Sequence, residues 1–351
     1  MGNKAGAAVE LGEKRTKLQI KSGALQQVLA FASLVVLIIV FSFSSTNFFQ
    51  FSNIVGILLS TAVIGVLALG STFVIITGGI DLSVGTVMTL SAVMSGVLIT
   101  YWGMPIAVGV VGGIATGAIC GLLSGLAVAK MKIPPFIATL AMMMVAKGLA
   151  LVISGTKPIY FPDNTIVSDN PDVADKHMFS FSDISQGSIM DDMIPGFAIP
   201  NAVLIFFIAA IIGSVILSKT IIGRYNFALG SNEEATRLSG VNVNRWKIVI
   251  YTITGIFTGL AGILIASRLN SAQPALGAGY ELEAIAAVVI GGTSLSGGKG
   301  TIIGTVIGAL IMSVLTNGLR ILSVPQEWQT VVVGFVIVLA VYADILRRRK
   351  N

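Results

Sequence analysis

Long apolar stretches separated by polar segments are the feature of this sequence that most constrains its fold. A membrane-spanning helix needs about 20 consecutive, mostly apolar residues, and ten stretches of the 351-residue chain approach that length. They occupy most of the sequence, so they leave little room for a soluble domain. The stretches are residues 26–43, 53–76, 82–100, 105–128, 134–154, 198–218, 248–268, 282–296, 301–318 and 326–344.

The composition indicates the same environment. Hydrophobic residues make up 54% of the chain and charged residues only 11%, whereas about a quarter of an average soluble domain is charged. The 40 glycines fit a membrane bundle, in which small residues let helix backbones approach closely. We therefore predict an all-α integral membrane protein of about ten transmembrane helices.

The positions of Lys and Arg predict the orientation of the chain, because short cytoplasmic loops are enriched in these residues. With the basic tail 1–25 inside, ten crossings also place the basic segments 219–247 and 347–351 inside. The Asp-rich segment 155–197 then forms an external loop. The predicted organisation is two cytoplasmic tails flanking a single membrane domain over residues 26–346.

The external loop divides the ten stretches into two five-helix halves. An odd number of crossings in each half would orient the halves oppositely, as in the inverted repeats of many transporters. Residues 78–83 resemble residues 291–296, but the two segments occupy different positions in their halves. The inverted repeat is therefore a hypothesis at this point.

A pattern typical of a short, capped helix lies in the cytoplasmic loop 219–247. Ser231, followed three residues later by Glu234, predicts a capping box, and Gly240 suits the left-handed residue that ends many helices. Glu233 and Glu234 complement the helix dipole, which explains them without a partner. An ordered helix in such a loop nevertheless predicts a docked partner.

Two glycine-rich breaks interrupt the apolar stretches, and their residues are candidates for the translocation pathway. Asp81 either caps the following helix or belongs to the pathway, and both interpretations stay open. The hydroxyls of Thr293 and Ser294 suit a neutral, polyhydroxylated substrate or hydrogen bonds between helices. The candidates are Gly78, Gly79, Asp81, Gly291, Gly292, Thr293 and Ser294.

Lys147 is a charge within a predicted span, toward its outer end. Charges in spans are functional candidates because their burial in lipid is costly. A lysine can also extend its ammonium group to the membrane interface. The sequence leaves these two roles of Lys147 open.

Several types of chemistry are excluded by what the sequence lacks. Cys120 is the only cysteine and His177 the only histidine, so we predict no catalytic residue and no metal site. The scattered basic residues do not form a nucleic-acid surface. A nucleotide-binding loop requires Gly at Thr293 and Ser or Thr at Gly300, so we expect no ATPase site in this chain.

Taken together, several segments resemble the permease subunits of bacterial ribose-type ABC sugar importers, the ribose, xylose and galactoside permease family. The resemblance covers roughly residues 45–345. The segment Glu234-Ala235-Thr236 with Gly240 resembles the loop through which such permeases contact their ATPase subunit, although no Leu-Pro follows near Ile250. The matching segments are residues 77–85, 223–243, 271–274 and 279–300.

The resemblance implies import of a monosaccharide, with ribose favoured, driven by a cytoplasmic ATPase subunit that holds ATP and Mg. This chain would bind no cofactor itself. Its further partners would be an extracytoplasmic sugar-binding protein, a second permease copy, the lipid bilayer and the sugar. The implied ATPase interface is a coupling helix with Ser231, Glu233, Glu234, Ala235, Leu238 and Gly240.

Two other classes of function remain as alternatives. A secondary transporter would need an ion-coupling site near the middle of the bilayer, and Asp81 is the only acidic residue beside a break in a span. A membrane enzyme would need paired carboxylates, a histidine-based site or clustered metal ligands. The sequence offers none of these, so the ABC permease is the preferred interpretation.

Overall fold

A computed structural model describes most of the chain. The described residues are 27–162, 165–166, 176–177, 179–193, 196 and 198–349. The predicted N-terminal tail 1–25 lies outside them, and so do residues 350–351 of the C-terminal tail. Most of the acidic residues that suggested an external loop, Asp163, Asp169, Asp172 and Asp175, also lie outside the described residues.

The described chain is almost entirely helical, with four strands of only two residues each. Eight of the described helices are long and apolar enough to cross a membrane. The strands are β1 (Ile159–Tyr160), β2 (Thr165–Ile166), β3 (Lys176–His177) and β4 (Ser271–Ala272). The helices are α1 (Gln27–Ser44), α2 (Phe51–Ile76), α3 (Val84–Gly96, continued as a π-helix over Val97–Tyr101), α4 (Ile106–Ala129), α5 (Pro135–Ser154), α6 (Ile189–Met193), α7 (Asn201–Lys219), α8 (Ile221–Ser231), α9 (Glu233–Leu238), α10 (Val243–Leu269), α11 (Tyr280–Ile290), α12 (Ile302–Ile321) and α13 (Gln326–Arg349), with a 3₁₀ turn over Phe181–Ile184.

Each predicted apolar stretch contains a helix, but the stretch 282–296 differs clearly from its helix. Helix α11 has only 11 residues and ends at Ile290, so it is roughly 16 Å long. That length covers about half of the hydrocarbon core of a bilayer. The helix ends there because Gly292 adopts a left-handed backbone with φ of 92°, a conformation that ends a right-handed helix.

Helices α2, α3, α10 and α12 form the centre of the bundle, while α1, α4 and α5 lie at its periphery. Of the 18 most apolar consecutive residues of each helix, 67% are buried in α2 and in α10, but only 22% in α5. The largest apolar cluster contains side chains of α2 and α10 that are fully buried, such as Leu67, Phe73 and Leu264. The peripheral helices expose apolar side chains, as expected for surfaces in contact with lipid.

Glycines join α4 to α10, which confirms the interpretation of glycines as packing seams. A β-carbon built at Gly117 would lie 2.8 Å from Cα of Gly259, and one built at Gly121 would lie 3.0 Å from Cα of Gly255. Any larger residue at these positions would push the backbones apart. The seam therefore depends on the absence of side chains.

Helices α3 and α11 each begin inside the bundle, after a non-helical segment. Residues 79–83 precede α3, and residues 273–279 precede α11. The first segment starts beside Tyr251, near the beginning of α10, because a β-carbon at Gly79 would lie 2.9 Å from the Tyr251 hydroxyl. Four residues into α3, the Met88 carbonyl lies against Gly262, near the other end of α10. Helix α3 thus begins beside the middle part of α10, between the contact at Tyr251 and the contact at Gly262.

Candidate functional site

The predicted cytoplasmic helix exists, but it is capped by a different residue. Ser231 is the last residue of α8, and α9 begins after Asn232. The backbone breaks at Asn232, whose side-chain oxygen accepts a hydrogen bond of 2.9 Å from the amide of Ala235. The assignment of Ser231 as the capping residue was therefore wrong; Asn is an equally good cap and stands one position later.

The end of α9 agrees with the sequence, because Gly240 has φ of 83° and its amide donates to the carbonyl of Arg237 at 3.0 Å. Ion pairs fix the helix in the loop. The carboxylate of Glu233 lies 2.7 Å from the ammonium of Lys247 on α10 and 3.2 Å from the guanidinium of Arg237. Glu233 thus links α9 to the membrane helix α10.

One side of α9 is exposed, while Thr236 packs inward. Glu234, Ala235 and Leu238 are all exposed, and Leu238 is 80% exposed. Leu238 follows Glu234 by four residues and Ala235 by three, so its side chain lies next to both of them on one face of the helix. The face combines a carboxylate, a methyl group and a large apolar side chain, which is a suitable surface for a protein partner.

The two glycine-rich breaks meet each other directly, next to the end of α8. The amide of Gly298 donates a hydrogen bond of 2.8 Å to the carbonyl of Ile76 at the end of α2. A β-carbon built at Gly297 would lie 2.8 Å from the amide of Gly78 and 2.9 Å from the carbonyl of Gly230. We call Ile76, Gly78, Gly230, Gly297 and Gly298 the glycine junction.

One residue of the glycine junction, Gly230, lies just before the exposed helix α9 along the chain. Gly230 is the penultimate residue of α8, and a β-carbon at this position would overlap the carbonyl oxygen of Ile76. Backbone therefore contacts backbone where α2, α8 and the segment after α11 converge. Through Gly230, the chain just before α9 therefore contacts both breaks.

Asp81 stabilises the turn that leads into α3. The side chain is 5% exposed, and its Oδ1 accepts hydrogen bonds from the Ser83 amide at 2.8 Å and the Ser83 hydroxyl at 2.6 Å. These bonds support a structural role for Asp81 in the turn, but the predicted cap was wrong, because Ser83 occupies the cap position of α3. A part for Asp81 in the pathway stays a prediction.

Thr293 and Ser294 lie in the turn that follows α11. The Thr293 side chain is fully buried, and its hydroxyl has no hydrogen-bond partner among the described residues. The amide of Ser294 donates to the carbonyl of Lys299 at 3.0 Å, and its hydroxyl lies 3.1 Å from that of Ser296. Both residues thus adjoin Gly291 and Gly292 beside the glycine junction, and their contact with a substrate stays a prediction.

Helices α3 and α11 begin side by side, a feature that was not predicted from the sequence. A β-carbon built at Gly85 would lie 3.3 Å from the amide of Glu281 and 2.6 Å from its carboxylate. Gly277 contacts the carbonyl of Gly85 from the other side. Pro274 and the glycines of 277–279 within a long apolar region were the signal that could have indicated it.

Comparison with known proteins identifies the family. The family model described as branched-chain amino acid transport system / permease component matches residues 53–341. The ribose import permease protein of Escherichia coli K12 is 43% identical over 314 residues, which cover 89% of this chain and 91% of the relative. The ribose import permease protein of Bacillus subtilis 168 is 42% identical over 323 residues, covering 92% and 94%.

A xylose transport system permease protein of Escherichia coli K12 is 31% identical over 372 residues, covering 95% of each chain. No solved structure matches the chain. A multi-pass membrane bundle with a family model over most of its length defines a transport permease. The chain belongs to this permease family, and its resemblance to the ribose-type ABC sugar permeases is confirmed.

Proposed function

We propose that this chain is the membrane subunit of an ABC importer and forms the pathway for a monosaccharide, with ribose as the first candidate. Helix α9 is the main support for this proposal. It has an uncovered face, and it closely follows Gly230, which belongs to the glycine junction and contacts both breaks in the membrane helices. The names of the relatives at 42 and 43% identity support ribose as the sugar.

In this proposal, a separate cytoplasmic ATPase subunit docks on Glu234, Ala235 and Leu238 of α9. That subunit holds ATP and Mg, so this chain needs no cofactor and performs no covalent chemistry. A sugar-binding protein delivers the substrate from the side of residues 155–197. A second copy of the permease completes the pathway.

The proposed topology has ten crossings, arranged as two inverted repeats of five helices. Helix α3 packs against α4, α5 and α10, and α11 packs against α12, α13 and α2. These two sets of neighbours become equivalent when α2–α5 are matched with α10–α13. The third crossing of each half is then the one that begins inside the bundle, which supports the repeat.

This match also explains why residues 78–83 and 291–296, although similar in sequence, do not occupy equivalent positions in the repeat. The counterpart of residues 79–83, which lead into α3, is the segment 273–279, which leads into α11. Residues 291–296 follow α11 instead. They resemble residues 78–83 because both contribute glycines to the same region of close packing.

Thiol labelling tests the topology. On a Cys120→Ser background, we expect Met193→Cys to react with an impermeant maleimide in right-side-out vesicles, and Ser239→Cys to react only after permeabilisation. Met193 is 73% exposed and Ser239 is also exposed, so burial would not protect either thiol. The unlabelled parent is the control. Equal labelling of both variants before permeabilisation contradicts the proposed topology.

An uptake assay tests the function. The permease is expressed with its ATPase subunit and binding protein, and uptake of radiolabelled ribose, xylose and fructose is compared. We expect saturable ribose uptake that disappears when the ATPase subunit is omitted. Preference for another sugar would change only the substrate, whereas ribose uptake without the ATPase subunit would favour a secondary transporter.

A further inference from the structure

A small cleft lies beside the place where α3 and α11 begin. It is bounded by Thr86 and Thr89 in the first turns of α3, by Lys147 of α5, and by the segment 274–278 that leads into α11. The cleft has room for about one water molecule. Three elements that are far apart in sequence therefore surround one opening, and two of them, α3 and α5, place polar side chains there.

Lys147 is the only charged residue of α5. It is exposed in the single chain and lies seven residues before Ser154, or roughly 10 Å from the end of the helix. None of the ion pairs among the described residues involves Lys147. A charge at this depth needs water or polar groups around it, and the threonines of the cleft provide one side of such an environment.

The two threonines present acceptors to the cleft. The hydroxyl of Thr86 donates to the carbonyl of Ser83 at 3.1 Å, and that of Thr89 donates to the carbonyl of Gly85 at 3.2 Å. Each hydroxyl proton is therefore used, and the oxygen lone pairs remain available as acceptors. The Lys147 ammonium supplies donors. A sugar hydroxyl both donates and accepts, so this combination suits a neutral, polyhydroxylated solute.

We propose that Lys147, Thr86 and Thr89 line the outer half of the sugar pathway, an inference that rests on the proposed function. The cleft is closed to a sugar in this structure, so separation of the segment 274–278 from α3 would open it. Because α5 lies at the periphery, the proposed second copy would close the pathway on its remaining side. Lys147 is thus a sugar-contacting residue in a water-filled pathway, not a lysine that extends to the membrane surface.

Accessibility of thiols tests this inference in the assembled importer. On the Cys120→Ser background, Lys147→Cys is compared with Val145→Cys, which lies about 160° away around the same helix and is 53% exposed. An anionic methanethiosulfonate reacts only with thiols in water. We expect Lys147→Cys to react at least about tenfold faster than Val145→Cys, and the modification to block ribose uptake. Equal, slow reaction of both variants would overturn the inference.

Uptake kinetics provide a second measurement. We expect Lys147→Met to raise the KM for ribose by about tenfold, since a charged hydrogen-bond donor is lost, while Lys147→Arg stays within about threefold of wild type. Membrane abundance is measured for each variant. A Lys147→Met protein with normal abundance and wild-type KM would contradict contact between Lys147 and the sugar.

The outcomes separate the two proposals. If the Cys120→Ser parent transports ribose but Lys147→Cys does not react, the proposed function stands and the assignment of Lys147 to the pathway is wrong. If Lys147→Cys reacts fast but the parent transports no sugar, the water-filled pathway is supported and the choice of substrate is wrong.

Discussion

Ala235→Arg is expected to stop sugar uptake and to reduce co-purification of the ATPase subunit, while the permease remains in the membrane at normal abundance. Ala235 lies on the exposed face of α9, three residues before Leu238. Arginine adds volume and an unpaired charge to the docked contact, which costs on the order of 2 to 5 kcal/mol of docking free energy. The helix itself should persist, because the Asn232 cap accepts from the backbone amide of residue 235.

The matched control is Ala235→Ser, which changes the volume little and should retain uptake and co-purification. Abundance is followed by immunoblot, docking by co-purification, and transport by radiolabelled ribose. Wild-type uptake by Ala235→Arg would show that α9 does not dock the ATPase subunit. That result would favour the secondary-transporter alternative.

The membrane helices could be predicted from the sequence because the thickness of a bilayer sets the length of an apolar stretch. Helices α7 and α12 begin and end within about three residues of their predicted stretches. Hydropathy could not show that α11 ends at Ile290, because the apolar residues before it and the glycines after it fall within one averaging window. Pro274 and the glycines of 277–279 indicate a break before α11, but they do not show that α11 begins beside Gly85, because that depends on contacts with α3.

The cap of α9 shows the same limit on a smaller scale. Ser231 and Asn232 are both good capping residues, so the local sequence permits a helix start at either. Contacts of α8 decide between them, since Gly230 packs against the carbonyl of Ile76 and α8 continues through Ser231. The glycine junction itself joins residues more than 150 positions apart, a relation that periodicity and propensity do not contain.

Gly230→Leu is expected to abolish uptake although the ATPase subunit still binds. A β-carbon at residue 230 would overlap the Ile76 carbonyl and lie 2.5 Å from the Gly298 amide, so the side chain would break the hydrogen bond between those groups. Overpacking of this kind costs up to about 3 kcal/mol. If this cost destabilises the pathway only when it is open to one side of the membrane, the population of that conformation decreases about 100-fold. The exposed face of α9 is unchanged, so docking should survive.

Gly56→Leu is the matched control, since it introduces the same side chain on α2, the helix that carries Ile76, where a β-carbon would meet nothing within 4 Å. ATP hydrolysis and ribose uptake are measured in proteoliposomes with the ATPase subunit and binding protein. We expect Gly230→Leu to retain basal hydrolysis but to lose its stimulation by the sugar-loaded binding protein, because in our proposal the junction links α9 to the two breaks. Loss of ATPase binding would instead indicate a docking defect, and unchanged stimulation with normal uptake would exclude the junction from coupling.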